Sequence, residues 1–485
     1  MSHRPFTWLA ESSKKVFTSD SAPLLMLLAI ATVIRLPLMP FQGYWHDLAS
    51  YVTWGNELVT RGFSHLYAVR GANMAAPGAN PRGGVVFTAI NYAPGMPYLF
   101  GLVVLLYNAT LAPVTHAPLT DLVGQNGIGP FIAKLVILVA DLATTTLLYV
   151  EARKRHSQRF AWLAAASFAF SPAVLYDGVI WGQTDVLVML PVLIAVFAIL
   201  SGRFSLAGIS FAVAVLLKAQ SVIFIPLILL YLWRWTRRED VLRFAAAFVG
   251  VALLLLLPVM VPRFQLNDML YNMHAMSYND GFPISRDAFN FWWLTYLNAR
   301  SMGSLLLGVK IGLIADALFG VVTLVNGINI WRHKHPAYLC FGLALQAFGL
   351  FMFMGGQLER YLIPFIPLTL VTLIVSERRS SDRLLTFYIA GTALCLLNMM
   401  ATTGAYLAGV SPMIPYVTIQ PLSDFVFRYF GQLSVAIAGY IVATFAYAMH
   451  MYLSRRFEPL TLAQPSSGQA SAPDVAAVRA SGHQQ

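Results

Sequence analysis

Apolar runs of about twenty residues recur along nearly the whole chain, and each is long enough for an α-helix to cross the roughly 30 Å hydrocarbon core of a bilayer. The runs leave 58% of the 485 residues hydrophobic and only 11% charged. A water-facing domain of this size needs far more charge, so a soluble fold is excluded. The chain reads as an all-α polytopic membrane protein.

Twelve crossings are expected, at 23–40, 130–150, 160–178, 184–201, 204–217, 219–235, 242–262, 304–330, 336–355, 361–376, 384–404 and 431–453. Orientation follows from the basic clusters. Lys14-Lys15, Arg153-Lys154-Arg155, Arg234 with Arg237-Arg238, Arg332 with Lys334, Arg378-Arg379 and Arg455-Arg456 all fall on one side of this arrangement. By the positive-inside rule that side is the cytoplasm, and both termini lie there. The same rule accounts for the net charge of +11, so no nucleic-acid partner is expected. Residues 94–112 are apolar enough to be considered another crossing, but counting them would invert every later basic loop. They are read as interfacial or re-entrant, within one large outer loop from 41 to 129.

The expected domains are a cytoplasmic tail at 1–22, a transmembrane domain at 23–458, and a disordered cytoplasmic tail at 459–485, rich in Ala, Ser, Gln and Pro. A second long outer loop covers 263–303 and a shorter one 405–430. Leu24 to Leu36 follow Lys14 and Lys15 but end without a convincing cleavage site, so they are read as an uncleaved first span. Cys340 and Cys395 each sit inside an apolar run, which indicates buried thiols rather than a disulfide frame. His46, His65 and His274 have no metal-ligand spacing, and neither metal nor cofactor is expected.

The polar residues that remain gather at the outer ends of the spans. Gly43 to Trp54 follow the first span directly, with Asp47 among Tyr44, Trp45, Tyr51 and Trp54. On a helix Trp54 lies about two turns from Asp47, on nearly the same face. Arg35, near the outer end of that first span, is a cation available to Asp47 or to a phosphate. The stretch Ser171 to Asp185 carries Trp181, Gln183 and Asp185 at a junction between spans, where Pro172 permits a kink and Gly182 a close backbone approach. Lys218 and Gln220 occupy another outer junction, and a Lys so near hydrocarbon needs a partner or a function. Glu359 and Arg360 occupy a third, where the Arg fork suits phosphate oxygens. Each group also has a plain structural reading: a helix-capping acid, a capped turn, a snorkelling Lys, a local Glu–Arg pair. Asp141, Lys134, Lys310 and Asp316 lie within spans, where interhelical ion pairs explain them as well as function does. No loop on the basic side is large enough for a nucleotide-binding domain. Any sugar donor is therefore expected to be membrane-borne, with its phosphate at the outer interface.

Taken in order, these motifs resemble the GT-C superfamily of polyprenyl-phosphate-sugar glycosyltransferases. The resemblance is nearest to the bacterial relatives of the GPI-anchor mannosyltransferases and to the dolichyl-phosphate-glucose glucosyltransferases. It covers about residues 30 to 365. It rests on Asp47 with Trp54 seven residues later, on Asn91-Tyr92-Ala93-Pro94-Gly95 as a Tyr-Pro-Pro-like element, and on Asp141 in the next span. Gln183-Thr184-Asp185, Lys218-Ala219-Gln220 with Pro226, and Asn290-Phe291-Trp292 complete it. Two departures are visible: Leu358 stands where the late motif usually has His, and Ala93 where a first Pro is common.

The resemblance implies a GT-C fold with about 12 transmembrane helices and a large first outer loop carrying interfacial helices. It also implies an inverting transfer of a hexose, mannose in the first instance, from a polyprenyl-phosphate-linked sugar. The acceptor is a hydroxyl of a lipid-linked glycan, a glycolipid or a protein, and membrane lipids surround the whole. Asp47 is then the catalytic carboxylate. Arg35, Trp54, Tyr92, Trp181, Gln183, Asp185, Lys218, Gln220, Asn290, Glu359 and Arg360 bind donor or acceptor. An Ala-rich chain with no ER retrieval signal at Gln485 fits a bacterial inner membrane, with the site on the outer side. The competing reading is a secondary transporter or lipid flippase, supported by Asp141 and Asp316 within spans. A GT-C-like scaffold that has lost catalysis is the other.

Overall fold

The computed structural model describes residues 21–68, 89–261, 263–277, 279–376, 381–407, 425 and 428–454. The tails, Lys14-Lys15, Arg378-Arg379, Arg455-Arg456, residues 69–88 of the first outer loop and 408–424 of the third lie outside the described residues.

Helices dominate. The longer ones are α1 (Ala22–Arg35), α2 (Trp45–Arg61), α3 (Gly95–Thr110), α4 (Ile128–Arg153), α5 (Gln158–Ala169), α6 (Asp185–Leu200), α7 (Phe204–Leu217) and α8 (Ile225–Trp235). They continue with α9 (Arg238–Met260), α10 (Leu266–Ser277), α11 (Ile311–Arg332), α12 (Pro336–Phe353), α13 (Phe365–Val375), α14 (Ser381–Leu407) and α15 (Phe430–Leu453). A two-stranded antiparallel hairpin, β1 (Leu305–Leu306) and β2 (Val309–Lys310), precedes α11.

Every predicted span falls on helix, but twelve full-length crossings are not what the helices provide. Six are long and apolar enough to cross: α4, α9, α11, α12, α14 and α15. Predicted span 160–178 is a broken one, in which α5 and the segment Pro172–Trp181 meet at a 41° bend. Ser171 produces the break: its hydroxyl accepts from the Val174 N–H and starts a new helix, with Pro172 in the first turn. The other predicted spans are shorter helices of 10–17 residues, among them Ala22–Leu38, α6, α7, Ala219–Trp235 and α13. At 1.5 Å per residue these reach only about 15–26 Å. Two boundaries also move. Residues 305–310 form the hairpin, so the predicted span 304–330 begins at Ile311. The predicted span 361–376 begins at Phe365, because the residues before it turn to present Glu359 and Arg360.

The main core is built around α12, whose apolar window is 89% buried, whereas that of α9 is 6% buried and lies at the periphery. Some polar groups inside this core pair across helices. Asn326 donates to Gln346 at 3.1 Å, and Gln346 donates to the Thr323 hydroxyl at 2.7 Å. A second core joins α2 and α3 through Tyr51, Val52, Trp54, Phe100 and Val104. There Gly55 lets the two backbones touch, since a Cβ on it would stand 2.4 Å from the Phe100 carbonyl carbon.

The ends of the bundle sort by chemistry. Lys134, in the first half of α4, reaches the carbonyls of Phe41, Val179 and Ile180. At the C-terminal end of the same helix Arg155 lies over Phe197, near the end of α6. The chain before and after α3 makes two close backbone contacts with the rest of the protein. Gly95 packs against the Leu216 carbonyl, and Gly127 donates to the Pro40 carbonyl at 2.7 Å.

Candidate functional site

Three breaks in helical structure place the site. The first is the entry to α2. Gly43 has φ +61°, and a Cβ there would stand 2.2 Å from the Ile180 carbonyl oxygen. Only glycine lets this loop lie against residues 180–181, where the Tyr44 N–H donates to the Trp181 carbonyl at 3.2 Å. Asp47 then falls in the first turn of α2, where the helix dipole favours a carboxylate. The second break is the π-helical segment Tyr176–Trp181, closed by Gly182 at φ +92°. Single π turns often mark functional positions. This one brings Gln183 to the approach of α6 and Asp185 to its first turn. Lys134 braces both breaks with its carbonyl contacts at 2.7, 2.7 and 3.1 Å. The third break comprises Gln357 to Pro364, between α12 and α13.

The side chains converge on Asp47, whose side chain keeps 23% exposure. Its Oδ2 accepts from Gln183 Nε2 and lies 3.3 Å from an Arg360 terminal nitrogen. Gln183 Oε1 accepts in turn from the Tyr51 hydroxyl at 3.2 Å, so a Tyr–Gln pair fixes one oxygen of the acid. Arg360 also donates to Glu359 at 2.7 Å and approaches Asp185 at 4.0 Å. Lys218 Nζ donates to Asp185 at 2.6 Å and lies 4.7 Å from the centre of the Tyr361 ring. The Arg360 guanidinium lies 5.6 Å from the rings of Trp181 and Tyr361. Burial pushes the Glu359 carboxyl above its usual range, and the adjoining Arg360 charge holds it back only in part.

Several buried polar atoms at this centre have no hydrogen-bond partner: both Asp177 carboxylate oxygens, Asp185 Oδ2, Trp181 Nε1, Gln220 Nε2 and Arg360 Nε. Buried polar groups in folded proteins are nearly always satisfied, so a concentration of orphans marks a place for a polar ligand. Beside this cluster Asp185, Met189, Lys218, Gln220, Leu350 and Pro364 line a small cavity. Among the described residues no group of three or more His, Cys, Asp or Glu is arranged to hold a metal ion.

Of the sequence-derived candidates, Asp47, Trp181, Gln183, Asp185, Lys218, Gln220, Glu359 and Arg360 are gathered here. Trp54 and Tyr92 stand one layer behind, their rings 5.4 Å apart and each packed on Tyr51. Two candidates are placed elsewhere. Arg35 is fully buried, bonded to Asp141 Oδ2 at 3.0 Å and to the carbonyls of Ala31 and Ala169, and it does not face Asp47. Asn290 caps the short helix Phe291–Leu294 and donates to the Phe351 carbonyl at 2.8 Å, so its side chain is committed to the loop. The span charges resolve in the same way: Asp141 pairs with Arg35, Lys134 with carbonyls, and Lys310 with Asp280 at 2.7 Å outside α11.

Sequence reasoning missed three participants. Tyr51 was visible in principle, four residues and one helical turn after Asp47. Asp177 lies inside the stretch Ser171 to Asp185, but only the π turn buries its carboxylate. Lys134 carried a signal in its cost within a span, without any sign of what it would hold.

Comparison with known proteins adds one match: a family model described as glycosyltransferase family 87 covers residues 85–354, more than half of the chain. The matched stretch contains Trp181, Gln183, Asp185 and Lys218, while Asp47 and Arg360 lie on either side of it. No curated protein matches the chain.

Proposed function

The chain belongs to glycosyltransferase family 87 and is a membrane glycosyltransferase, and from that premise we propose that it moves a hexose from a polyprenyl-phosphate donor to an acceptor hydroxyl with inversion. The observation that carries this reading is the partly exposed Asp47 carboxylate, oriented by Gln183 and set within 3.3 Å of Arg360, beside the Lys218–Asp185 pair.

In the proposed reaction the acceptor hydroxyl gives its proton to Asp47 as its oxygen attacks the anomeric carbon. The new C–O bond forms on the face opposite the bond to phosphate, which breaks with its electron pair going to the phosphate oxygen. A single displacement of this kind inverts the anomeric centre. Arg360 and Lys218 stabilise the departing phosphate, a task suited to fixed cations in a water-poor site. The Trp181 and Gln220 N–H groups, unpartnered at present, are free to donate to donor oxygens. Mannose is the hexose we favour, and the acceptor is a lipid-linked glycan, an envelope glycolipid or a protein hydroxyl.

We place the enzyme in a bacterial inner membrane with this site on the periplasmic side and both termini cytoplasmic. The six long helices, the bent pair and the five shorter predicted spans would together make twelve crossings. Of the two acids behind the transporter reading, Asp141 is fully buried and tied to Arg35. The test is a donor panel: membranes containing the full chain are given radiolabelled polyprenyl-phosphate mannose, glucose or pentose. Transfer from the mannose donor supports the proposal, transfer from another changes the sugar, and transfer from none in acceptor-replete membranes defeats it.

A further inference from the structure

The hairpin β1–β2 is an unusual place for leucine. Its register pairs Leu305 with Lys310 and Leu306 with Val309, leaving Leu307 and Gly308 as the two-residue turn. Both turn residues have positive φ, +52° and +80°. That is the conformation for which Asn-Gly or Gly-Gly is selected. A leucine there is strained, and no described residue covers it: Leu307 is 98% exposed, Leu305 69% and Val309 46%. Leu306, on the strand face opposite Leu305, packs inward with Met302 and Ile311. The pattern is an apolar tip on a neck that is fastened to the protein.

Position identifies what meets the tip. The residue after β2 is Ile311, the first of the crossing helix α11. The exposed side chains of that helix include Leu313, Val321 and Leu324, so the hairpin continues the lipid-facing apolar surface of a membrane span. It also stands at the site end of the bundle. Backbone bonds run from Gly312 to Met302, from Met302 to Phe282, from Ile284 to Arg300, from Gly356 to Ile284 and from Arg286 to Gln357, three residues before Arg360. At the neck Lys310 is paired with Asp280, which moderates the cost of holding a cation close to hydrocarbon.

We propose that the Leu305–Lys310 hairpin is inserted by its leucine tip into the lipid leaflet on the side of the site, at the boundary between headgroups and acyl chains. Lipid covers the apolar tip, and the insertion pins the 279–304 segment that is stitched to the Arg360 turn. The proposal does not depend on which donor the enzyme uses.

The test uses the full chain with Leu307→Cys, labelled with an environment-sensitive nitrobenzoxadiazole probe. The native Cys340 and Cys395 are buried, and mock-labelled wild type sets the background. The protein is placed in phosphatidylcholine–phosphatidylglycerol vesicles with or without lipids carrying a shallow doxyl group. Insertion predicts blue-shifted emission that doxyl lipid quenches and aqueous iodide does not. Leu305→Cys, outside the strained turn, should behave the same way and guards against a misfolded Leu307 variant. Water-like emission quenched by iodide but not by doxyl lipid overturns the proposal. Protection from both quenchers places protein on the tip, a second copy for example, and equally overturns it.

Discussion

Replacing Arg360 by Gln removes the one cation that three acids share, and the structure sets the scale of the loss. Arg360 is 8% exposed, with Glu359 at 2.7 Å, Asp47 at 3.3 Å and Asp185 at 4.0 Å. Breaking one side of a buried ion pair typically costs about 3–5 kcal/mol, because the stranded charge stays desolvated. Glu359 moderates that cost by taking up a proton, since burial already raises its pKa. The sign follows. A carboxyl whose folded pKa lies above its unfolded value supports the fold below the unfolded value, and that support is lost as pH rises through the folded one. Without Arg360 the Glu359 pKa rises further, so the deficit of the variant should be small in acid and grow as pH rises. Thermal unfolding of purified wild type and Arg360→Gln in one detergent, between about pH 5 and 8, reads this directly. Destabilisation that does not change with pH would refute the shared-cation account and leave only a packing defect. An unchanged midpoint at every pH would refute it altogether.

Two further outcomes follow from the contacts. Gln183→Leu keeps the volume but frees Asp47 from its oriented hydrogen bond, which should lower kcat roughly 10- to 100-fold with little change in the donor KM; a steady-state comparison with saturating donor checks it. Lys134→Met leaves the carbonyls of Phe41, Val179 and Ile180 without their donor and should destabilise the protein by about 2–4 kcal/mol. It should also lower kcat in the protein that remains folded, and unchanged stability would show that the brace is dispensable.

Much of this was legible in the chain itself, for identifiable reasons. The apolar runs predicted where helices would be because membrane helices follow local composition. The site could be read because its parts lie where apolar runs are interrupted: Asp47, the Gln183–Asp185 turn, Lys218 and Arg360 are each costly beside lipid unless paired with one another. What failed was the assignment of partners. Arg35 is close to Asp47 in sequence, but its helix face turns it toward Asp141, 106 residues away. Asn290 looked like a ligand-binding amide because a cap and a binding group share the same chemistry. Leu305, Leu306 and Leu307 were read as the start of a span, since hydropathy does not distinguish a lipid-facing helix from an apolar hairpin beside one. Crossing lengths failed similarly, because composition marks an apolar run without fixing where Ser171 or the Glu359–Arg360 turn ends the helix.

The central claim is that Asp47 removes the acceptor proton. Its most direct test is single-turnover transfer by Asp47→Asn, with donor binding measured on the same preparation. The amide keeps the shape of the carboxylate but cannot accept that proton as a base. The account predicts donor affinity close to wild type and a rate of sugar transfer lower by roughly 100-fold or more. Transfer at near wild-type rate by a variant that binds donor normally would contradict it and assign the base to another residue.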